Sequence, residues 1–350
     1  MVEAISHRGP DAKGIYYDEG VGLGHARLSI VDIGDASNQP LISVDNNYVI
    51  TFNGEIYNYQ ELRNELEGLG HKFVTGSDTE VVLQSYVIWG DQSVLKFNGM
   101  WSFVIFDKKN NQLFCSRDRF GVKPFYYLLK DDAFFFSSEP KSILAINPEE
   151  RIPDLASVVA YMDSNCSLNS RSTFYKNIKT LPAAHNFFIT KQGISCLRYW
   201  DYPSELKNKT NYYEILIKFK KLLVDSIRIR VPKEVEIGTT LSGGLDSSAI
   251  VSIYRRLYPD KQHNAFSAIF NDKKFSEEDH INIISEKNKL SLHKVYQNSS
   301  NVFEDISEIV WFMDAPPISA STIPLLRVMR EIKKNKIKVI FDGQGADELL

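Results

Sequence analysis

The first 200 residues alternate short apolar runs with polar turns. His7–Gly14 has the composition of a turn cluster, and Gly22–Asp32 that of a strand with its approach. Leucine spacing predicts a helix over Tyr59–Leu69, and Ser77 or Asp78 caps a second helix. Because the predicted strands are apolar at consecutive positions, both faces must be covered, and we expect a layered α+β domain with stacked sheets. These strands are Tyr48–Phe52, Trp101–Phe106, Gln112–Ser116, Phe125–Leu129 and Ala133–Ser137.

The pattern changes after a polar stretch at about residues 200–211, which we interpret as a linker between domains 1–205 and 206–350. Beyond it, helical and strand periodicities alternate, as in a parallel, doubly wound α/β sheet. The predicted helices are Tyr213–Arg230, Val302–Met313 and those that start at Ser247, Ser276 and Pro324. The predicted strands are Val235–Thr240, Ala265–Phe270, His293–Val295 and Lys338–Phe341.

The amino-acid composition argues against nucleic-acid-binding, membrane-spanning and disulfide-rich proteins. The 350 residues are 43% hydrophobic and 24% charged with a net charge of −3, which favours neither nucleic acid nor an acidic membrane as a partner. Cys115, Cys166 and Cys196 form no Cys-x-x-Cys pair, so neither a disulfide framework nor a thiolate metal site is indicated. No apolar stretch is long enough to span a bilayer, and we expect a cytoplasmic protein.

The segment Leu241–Ser248 carries the strongest chemical signal. It reads Leu-Ser-Gly-Gly-Leu-Asp-Ser-Ser between a predicted strand and a predicted helix, so backbone N–H groups and hydroxyls converge on one point. Such a loop favours phosphate, although the Walker A pattern and its lysine are absent. Asp246 would repel phosphate unless Mg²⁺ lay between them, so it indicates a metal-bound polyphosphate. An ordinary strand-to-helix turn with a serine cap is the alternative.

A second set of polar residues lies in the front half. Arg27 can clamp a carboxylate, Glu55 or Asp78 can pair with an ammonium group, and Asn53 with the Gly54 N–H can stabilise an oxyanion. Together these groups could hold an amino acid and hydrolyse its side-chain amide. Each has an ordinary alternative: a surface residue on a strand for Arg27, a hairpin turn for Asn53-Gly54, and a helix cap for Asp78.

Seven segments extend this pattern over the whole chain: His7–Asp11, Arg27–Asp32, Phe52–Asn58, Gly76–Glu80, Arg117–Pro124, Leu241–Ser248 and Asp342–Glu348. Together they resemble the glutamine-hydrolysing asparagine synthetase family. The resemblance implies a class II glutamine amidotransferase domain with the αββα sandwich of N-terminal nucleophile hydrolases, followed by an α/β ATP-pyrophosphatase domain. It further implies a ligase, in which ATP adenylates the aspartate side-chain carboxylate and ammonia from glutamine then displaces AMP.

The resemblance also implies site residues and cofactors. Asn53 and Gly54 would form the oxyanion hole, Gln344 would act in adenylate formation, and Asp246 with Asp347 would bind Mg²⁺. Glutamine would be bound by Arg27, Leu28, Ser29, Ile30, Val31, Asn53, Gly54, Glu55 and Asp78. ATP would be bound by Thr240, Leu241, Ser242, Gly243, Gly244, Leu245, Asp246, Ser247, Ser248, Ala268, Asp342 and Gly343. The expected small-molecule partners are glutamine, aspartate and ATP, and a homodimer is left open.

The chain departs from the family's usual sequence in three places. Gln344 stands where many members have glutamate, and Asp342 where they have serine, which weakens the assignment of aspartate. The alternatives are a related amidotransferase acting on another carboxylate, in surface-polysaccharide or secondary metabolism, and a non-catalytic nucleotide-binding homologue. Residue 2 is Val2 rather than the nucleophilic N-terminal cysteine of the family, so we expect no glutamine hydrolysis by this chain. We also expect the sequence to be a fragment that lacks both ends of the family's usual sequence.

Overall fold

The computed structural model describes residues 1–18, 20–164, 171–204 and 211–346. Packing divides the chain into two compact units, Met1–Leu206 and Lys207–Leu350, which are called unit 1 and unit 2 below. Within the described ranges, no helix is both long and apolar enough to cross a membrane.

Unit 1 is built on a six-stranded antiparallel sheet in the order β11-β10-β6-β5-β4-β3, with a three-stranded sheet β8-β7-β9 and a hairpin β1-β2. The strands are β1 (Ala12–Asp18), β2 (Val21–Arg27), β3 (Leu41–Ile42), β4 (Tyr48–Ile56), β5 (Gly99–Asp107), β6 (Gln112–Arg117), β7 (Tyr126–Lys130), β8 (Ala133–Ser137), β9 (Lys179–Thr180), β10 (His185–Thr190) and β11 (Gly193–Arg198). The helices are α1 (Tyr59–Gly68), α2 (Asp78–Trp89), α3 (Ser93–Lys96), α4 (Pro140–Leu144) and α5 (Leu155–Ser164).

The six-stranded sheet is buried on both faces. Along β5, Phe103 and Ile105 join one apolar cluster, which includes α1 and α2, while Val104 and Phe106 join another, which includes Leu23 of β2. Side chains alternate across a strand, so an unbroken apolar run fills the cores on both sides of one sheet. The expected layered α+β sandwich is therefore confirmed.

Three local expectations for unit 1 need correction. Asn53-Gly54-Glu55 is no turn, because β4 continues to Ile56 and Gly54 pairs with Trp101 of β5. His7 and Arg8 end a 3₁₀ helix, Glu3–Arg8, and β1 already begins at Ala12. Helix α2 is capped by Ser77, whose hydroxyl accepts a hydrogen bond from the Glu80 N–H, so of the two predicted caps Asp78 is wrong, and residues 78–86 are all buried.

Unit 2 is a four-stranded parallel sheet in the order β14-β13-β12-β15. Its strands are β12 (Ile237–Thr240), β13 (Asn264–Ile269), β14 (Ser291–Tyr296) and β15 (Val339–Phe341). Its helices are α6 (Tyr212–Ile229), α7 (Leu245–Leu257), α8 (Glu278–Asn288), α9 (Val302–Met313) and α10 (Thr322–Lys334).

Helices cover both faces of the parallel sheet. Ala265 of β13 packs with Val251 of α7, while the neighbouring Phe266 packs with Val328 of α10. The doubly wound α/β arrangement is confirmed. Helix α8 starts at Glu278, two residues after the predicted start, where the Ser276 hydroxyl accepts a 3.4 Å hydrogen bond from the Glu278 N–H.

Candidate active sites

A cavity of about 700 Å³ in unit 1 gathers most of the residues that the sequence assigned to glutamine. Eight of the nine line it: Arg27, Leu28, Ile30, Val31, Asn53, Gly54, Glu55 and Asp78. The ninth, Ser29, is buried, and its backbone N–H donates a 2.8 Å hydrogen bond to Asp11. Arg27 and Asp78, from distant segments of the chain, thus meet around one space, as a binding site requires.

Arg27, at the end of β2, is 6% exposed, so the alternative of a surface residue is wrong. Its guanidinium donates 2.8 Å hydrogen bonds to the Gly34 carbonyl and to Asn38 Oδ1, and a further bond to the Asp32 carbonyl. These bonds fold the segment 28–38 around the side chain. A guanidinium has five N–H donors, so a ligand carboxylate at this site would share Arg27 with the segment.

Asp78 is the first residue of α2 and is 6% exposed. Since Ser77 caps the helix, Asp78 is not the cap, and its Oδ2 instead accepts a 3.0 Å hydrogen bond from the Ile56 N–H. Burial raises the pKa of the carboxyl to about 6, against the opposing effect of backbone N–H groups and the Arg27 charge. A carboxylate held here is stabilised by a bound cation such as an α-ammonium group.

Asn53 and Gly54 reach the cavity from within β4. The Asn53 Nδ2 donates a 3.3 Å hydrogen bond to the Ser138 hydroxyl, which orients the amide. Gly54 has no space for a side chain, because a β-carbon there would lie 2.3 Å from the Met100 carbonyl oxygen. A side chain at this position would therefore push β4 away from β5.

Polar residues that the sequence analysis did not assign also line the cavity, among them Arg8, His25, Lys123 and Ser138. Burial lowers the pKa of Lys123, as does the charge of Arg8, while Glu55 raises it. Arg8 and Lys123 belong to the segments His7–Asp11 and Arg117–Pro124. The charged residues of these segments could have indicated from the sequence that the two side chains belong to the site.

The loop that carries Lys123 is fixed from inside. The Asp118 carboxylate is 1% exposed and accepts hydrogen bonds from the backbone N–H groups of Phe120, Val122 and Lys123 at 2.9 to 3.1 Å. Arg117 donates to the Lys123 carbonyl at 2.7 Å. Arg117 and Asp118 therefore satisfy the backbone of this loop, and among the charged residues of the segment only Lys123 lines the cavity.

His25 is held in one tautomer. Its Nε2 lies 3.1 Å from the Phe52 carbonyl oxygen, which can only accept, so Nε2 carries the proton. Burial lowers the pKa of the imidazole to about 4. His25 is therefore a neutral wall residue.

Among the described residues that line the cavity, none is a cysteine. Cys115 is buried in β6, where burial raises the pKa of its thiol, and Cys196 is half-buried in β11. Cys166 lies outside the described residues. The lining as described supplies binding groups rather than a thiol nucleophile.

In unit 2 the loop after β12 has the predicted strand-loop-helix form. Gly244 is the N-cap of α7, and the Ser242 hydroxyl accepts a 3.2 Å hydrogen bond from the Gly244 N–H. Ser247 ties the loop together, since its hydroxyl accepts a 3.2 Å bond from the Ser242 N–H. Gly243 has φ +87°, and a β-carbon there would lie 3.2 Å from His280. Glycine is required here on both counts.

The segment after β15 closes on this loop. Thr240, the last residue of β12, donates a 2.8 Å hydrogen bond from its hydroxyl to the Asp342 carboxylate. A β-carbon on Gly343 would lie 3.1 Å from the Ser247 nitrogen, so the backbone approaches the first turn of α7 closely. The structure thus brings Thr240, Leu241–Ser248, Asp342 and Gly343 together at the carboxyl ends of two neighbouring strands.

The other residues predicted for this site differ in what they offer. Ser248 Oγ is buried and has no hydrogen-bond partner in the described structure, whereas the Leu245 side chain is 85% exposed. Ala268 lies on the adjacent strand β13. Gln344 is exposed, and its backbone N–H donates a 2.8 Å hydrogen bond to Asp342 Oδ1.

The donor set near the loop suits Mg²⁺. Asp246 in the first turn of α7 and Asp342 beside Thr240 supply carboxylate oxygens, the ligands that Mg²⁺ prefers alongside phosphate. No group of three or more His, Cys, Asp or Glu side chains able to hold a metal occurs in the described ranges. The predicted ligand Asp347 lies outside those ranges.

Comparison with known proteins gives two matches along the chain. Residues 1–200 match the profile of the glutamine amidotransferase domain, and residues 218–350 match that of asparagine synthase. The chain belongs to the glutamine-hydrolysing asparagine synthetase family.

Individual proteins similar to this chain include two that are named as asparagine synthetases and one that is named as an amidase. The protein named "Putative asparagine synthetase (glutamine-hydrolyzing) 2" of Methanocaldococcus jannaschii is 37% identical over 376 residues, covering 100% of this chain and 71% of the relative. "Asparagine synthetase (glutamine-hydrolyzing) 1" of Bacillus subtilis is 35% identical, covering 100% of this chain and 54% of that protein. "Amidase chry2" of Gibberella zeae is 27% identical, covering 99% and 54%. The family therefore includes longer proteins, and at least one of its relatives carries a different name.

Proposed function

We propose that the protein is a glutamine-dependent asparagine synthetase. Residues 1–205 bind glutamine as the amide donor, and residues 206–350 bind Mg-ATP and adenylate the side-chain carboxylate of aspartate. The observation that carries the proposal is the closure of Asp342-Gly343 over the Ser-Gly-Gly-Leu-Asp-Ser loop, where Thr240 and Asp342 are joined by a 2.8 Å hydrogen bond.

Support for the glutamine site comes from charges of both signs in one cavity. Arg27 presents a guanidinium to an α-carboxylate, and Asp78 presents a buried carboxyl to an α-ammonium group. The side-chain amide would then lie toward Asn53 and Gly54, whose amide and N–H suit an oxyanion. These are the roles that the resemblance implied.

Support for the nucleotide site comes from the loop and its helix. Free N–H groups at the start of α7 favour phosphate, and the unpartnered Ser248 hydroxyl adds a donor. Mg²⁺ held between Asp246 and the phosphates would neutralise charge on the leaving pyrophosphate. The carboxylate oxygen of the acceptor attacks the α-phosphorus and pyrophosphate leaves. Ammonia then attacks the acyl carbon, and AMP departs with the bonding electrons.

A second acceptor class has a specific observation in its favour. Asp342 puts an additional carboxylate at the edge of the site, and Gln344 cannot act as a base. Both residues weaken the assignment of aspartate, and one relative is named as an amidase rather than as a synthetase. A carboxylated sugar is the alternative that we would test first.

The experiment is pyrophosphate exchange into ATP, with aspartate or a uronic acid as acceptor and Mg²⁺ present. We expect exchange with aspartate, and asparagine when ammonium is added. Asp246→Ala should abolish both, whereas Asp260→Ala, an equal loss of charge at an exposed turn of the same unit, should leave them unchanged. Exchange with the uronic acid alone would establish the second candidate. Nucleotide binding without exchange would indicate a non-catalytic homologue.

A further inference from the structure

The carboxylate of Asp32 lies between two segments of the unit 1 cavity. Its Oδ2 accepts 2.6 Å hydrogen bonds from the Ser37 hydroxyl and from the backbone N–H of Gly76. Its Oδ1 accepts a 3.4 Å bond from the Gly34 N–H. The backbone carbonyl of the same residue accepts from Arg27. One residue thus contacts the cavity's arginine and a turn 44 positions away in the chain.

Each contact leads to a different part of the proposed glutamine site. The bonds to Ser37 and Gly34 fold the segment 28–38, which supplies Leu28, Ile30 and Val31 to the wall. The bond to Gly76 fixes the turn that precedes Ser77 and Asp78 at the start of α2. Asp32 therefore links the segment that surrounds Arg27 to the turn that precedes Asp78.

The charge of Asp32 makes these bonds strong. Burial alone would raise the pKa of this carboxyl, but hydrogen bonds from Ser37, Gly76 and Gly34 and the Arg27 charge bring it below its usual value. The side chain is therefore ionised, and bonds to an ionised acceptor are about twice as strong as neutral ones. The residue has φ +48°, a left-handed conformation that aspartate tolerates. A residue that only stabilised its own turn would not contact Gly76, which lies 44 positions away in the chain.

We propose that Asp32 is a positioning residue for glutamine binding. Its carboxylate sets Arg27 and Asp78 at the separation that suits the two charged groups of an α-amino acid. The inference rests on the proposed function of unit 1, because it assigns Arg27 to the α-carboxylate and Asp78 to the α-ammonium group.

The test measures the affinity of the 350-residue chain for L-glutamine by NMR titration. Asp32→Asn keeps the shape and removes the charge, and we expect binding to weaken by about tenfold, a change of about 1.4 kcal/mol. Asp45→Asn is the matched control, since it removes the same charge from an exposed turn of unit 1 and should leave the affinity unchanged. The amide proton of Gly76 should shift upfield in Asp32→Asn only.

A double-mutant cycle separates positioning from a general structural role. In an Arg27→Lys background, Asp32→Asn should weaken glutamine binding by less than about threefold, because the effects of substitutions at residues that act together are not additive. Full additivity would overturn the proposal. If Asp32→Asn does not fold, as judged by thermal unfolding, then Ser37→Ala decides, since it removes one donor and should weaken binding by about threefold. Unchanged affinity in the deciding variant overturns this inference alone, whereas a wild-type chain that binds no glutamine overturns the proposed function as well.

Discussion

Gly343 lies so close to Ser247 that a β-carbon on the glycine would stand 3.1 Å from the serine's backbone nitrogen and 3.2 Å from the β-carbon of Asp246. The segment after β15 therefore rests directly on the first turn of α7. The free N–H groups of that turn are the groups that would bind phosphate.

Gly343→Ala should consequently weaken Mg-ATP binding. The methyl group would push residues 342–344 away from α7 and disturb both the Thr240–Asp342 hydrogen bond and the phosphate position. We expect a loss of at least about tenfold in affinity, measured by isothermal titration, because about 1.4 kcal/mol suffices for that factor. The thermal midpoint serves as the control for folding, and an unchanged dissociation constant would contradict the close packing.

Glutamine binding should depend on pH through Asp78. Burial raises the pKa of this carboxyl to about 6, so it is ionised at pH 7.5 and protonated at pH 5. In the absence of ligand, the raised pKa means that protonation of Asp78 stabilises the folded state. This contribution to the free energy of unfolding is lost as pH rises through 6. An α-ammonium group prefers the ionised form, so affinity should fall by up to about tenfold per pH unit below 6.

Asp78→Asn provides the comparison for that pH series. The amide cannot ionise, so we expect weaker binding at pH 7.5 and a flat profile between pH 5 and 7.5. A variant that kept the wild-type slope would show that another group titrates.

Gly54→Ala should destabilise unit 1. A β-carbon at this position would meet the Met100 carbonyl oxygen at 2.3 Å and the Trp101 Cα at 2.8 Å, both in the paired strand β5. Overpacking of this kind costs about 1–3 kcal/mol in free energy of unfolding. Gly68→Ala in α1 is the matched control, because nothing lies within 4 Å of its β-carbon, and it should be neutral or slightly stabilising. Urea unfolding of both variants checks the difference.

Unit 2 should lose stability in acid through His263. This side chain is fully buried against Tyr254, and its Nε2 lies 2.7 Å from the Thr239 hydroxyl. Burial lowers its pKa from 6.5 to about 4, so the stability is complete above pH 6.5 and is lost as pH falls toward 4. The full loss is about 3 kcal/mol, from about 1.4 kcal/mol per pKa unit.

His263→Gln removes the titration and keeps a polar partner for Thr239. Its free energy of unfolding should therefore vary less between pH 7 and pH 4.5 than that of the wild type, in parallel urea titrations. Equal slopes for the two proteins would assign the acid sensitivity to other residues.

Much of the architecture could be predicted because the local periodicity of apolar residues determines where helices and strands form. Helix α9 spans Val302–Met313, the same residues that the apolar spacing indicated. The loop Leu241–Ser248 could be found because its small residues, its flanking strand and its helix are contiguous in the chain. Both depend on neighbours in sequence, which pattern reasoning uses directly.

The errors arose where distant residues decide the local conformation. Asn53-Gly54 has the composition of a turn, but pairing with β5, almost 50 residues later, keeps it extended. The sequence assigned no individual role to Arg117 or Asp118, which satisfy the backbone of their own loop and its neighbours. The role of Asp32 depends on Gly76, a contact that no local pattern encodes.

The strand order of unit 2 has a consequence for the time at which the protein can take up nucleotide during synthesis. Strand β12 is made first but receives its neighbour β15 last, and the Thr240–Asp342 contact joins residues 102 positions apart. A ribosome-bound chain that ends before residue 342 would carry the serine-glycine loop without the segment that closes it. Nucleotide capture should therefore report that synthesis has passed residue 342 and that β15 has joined the sheet.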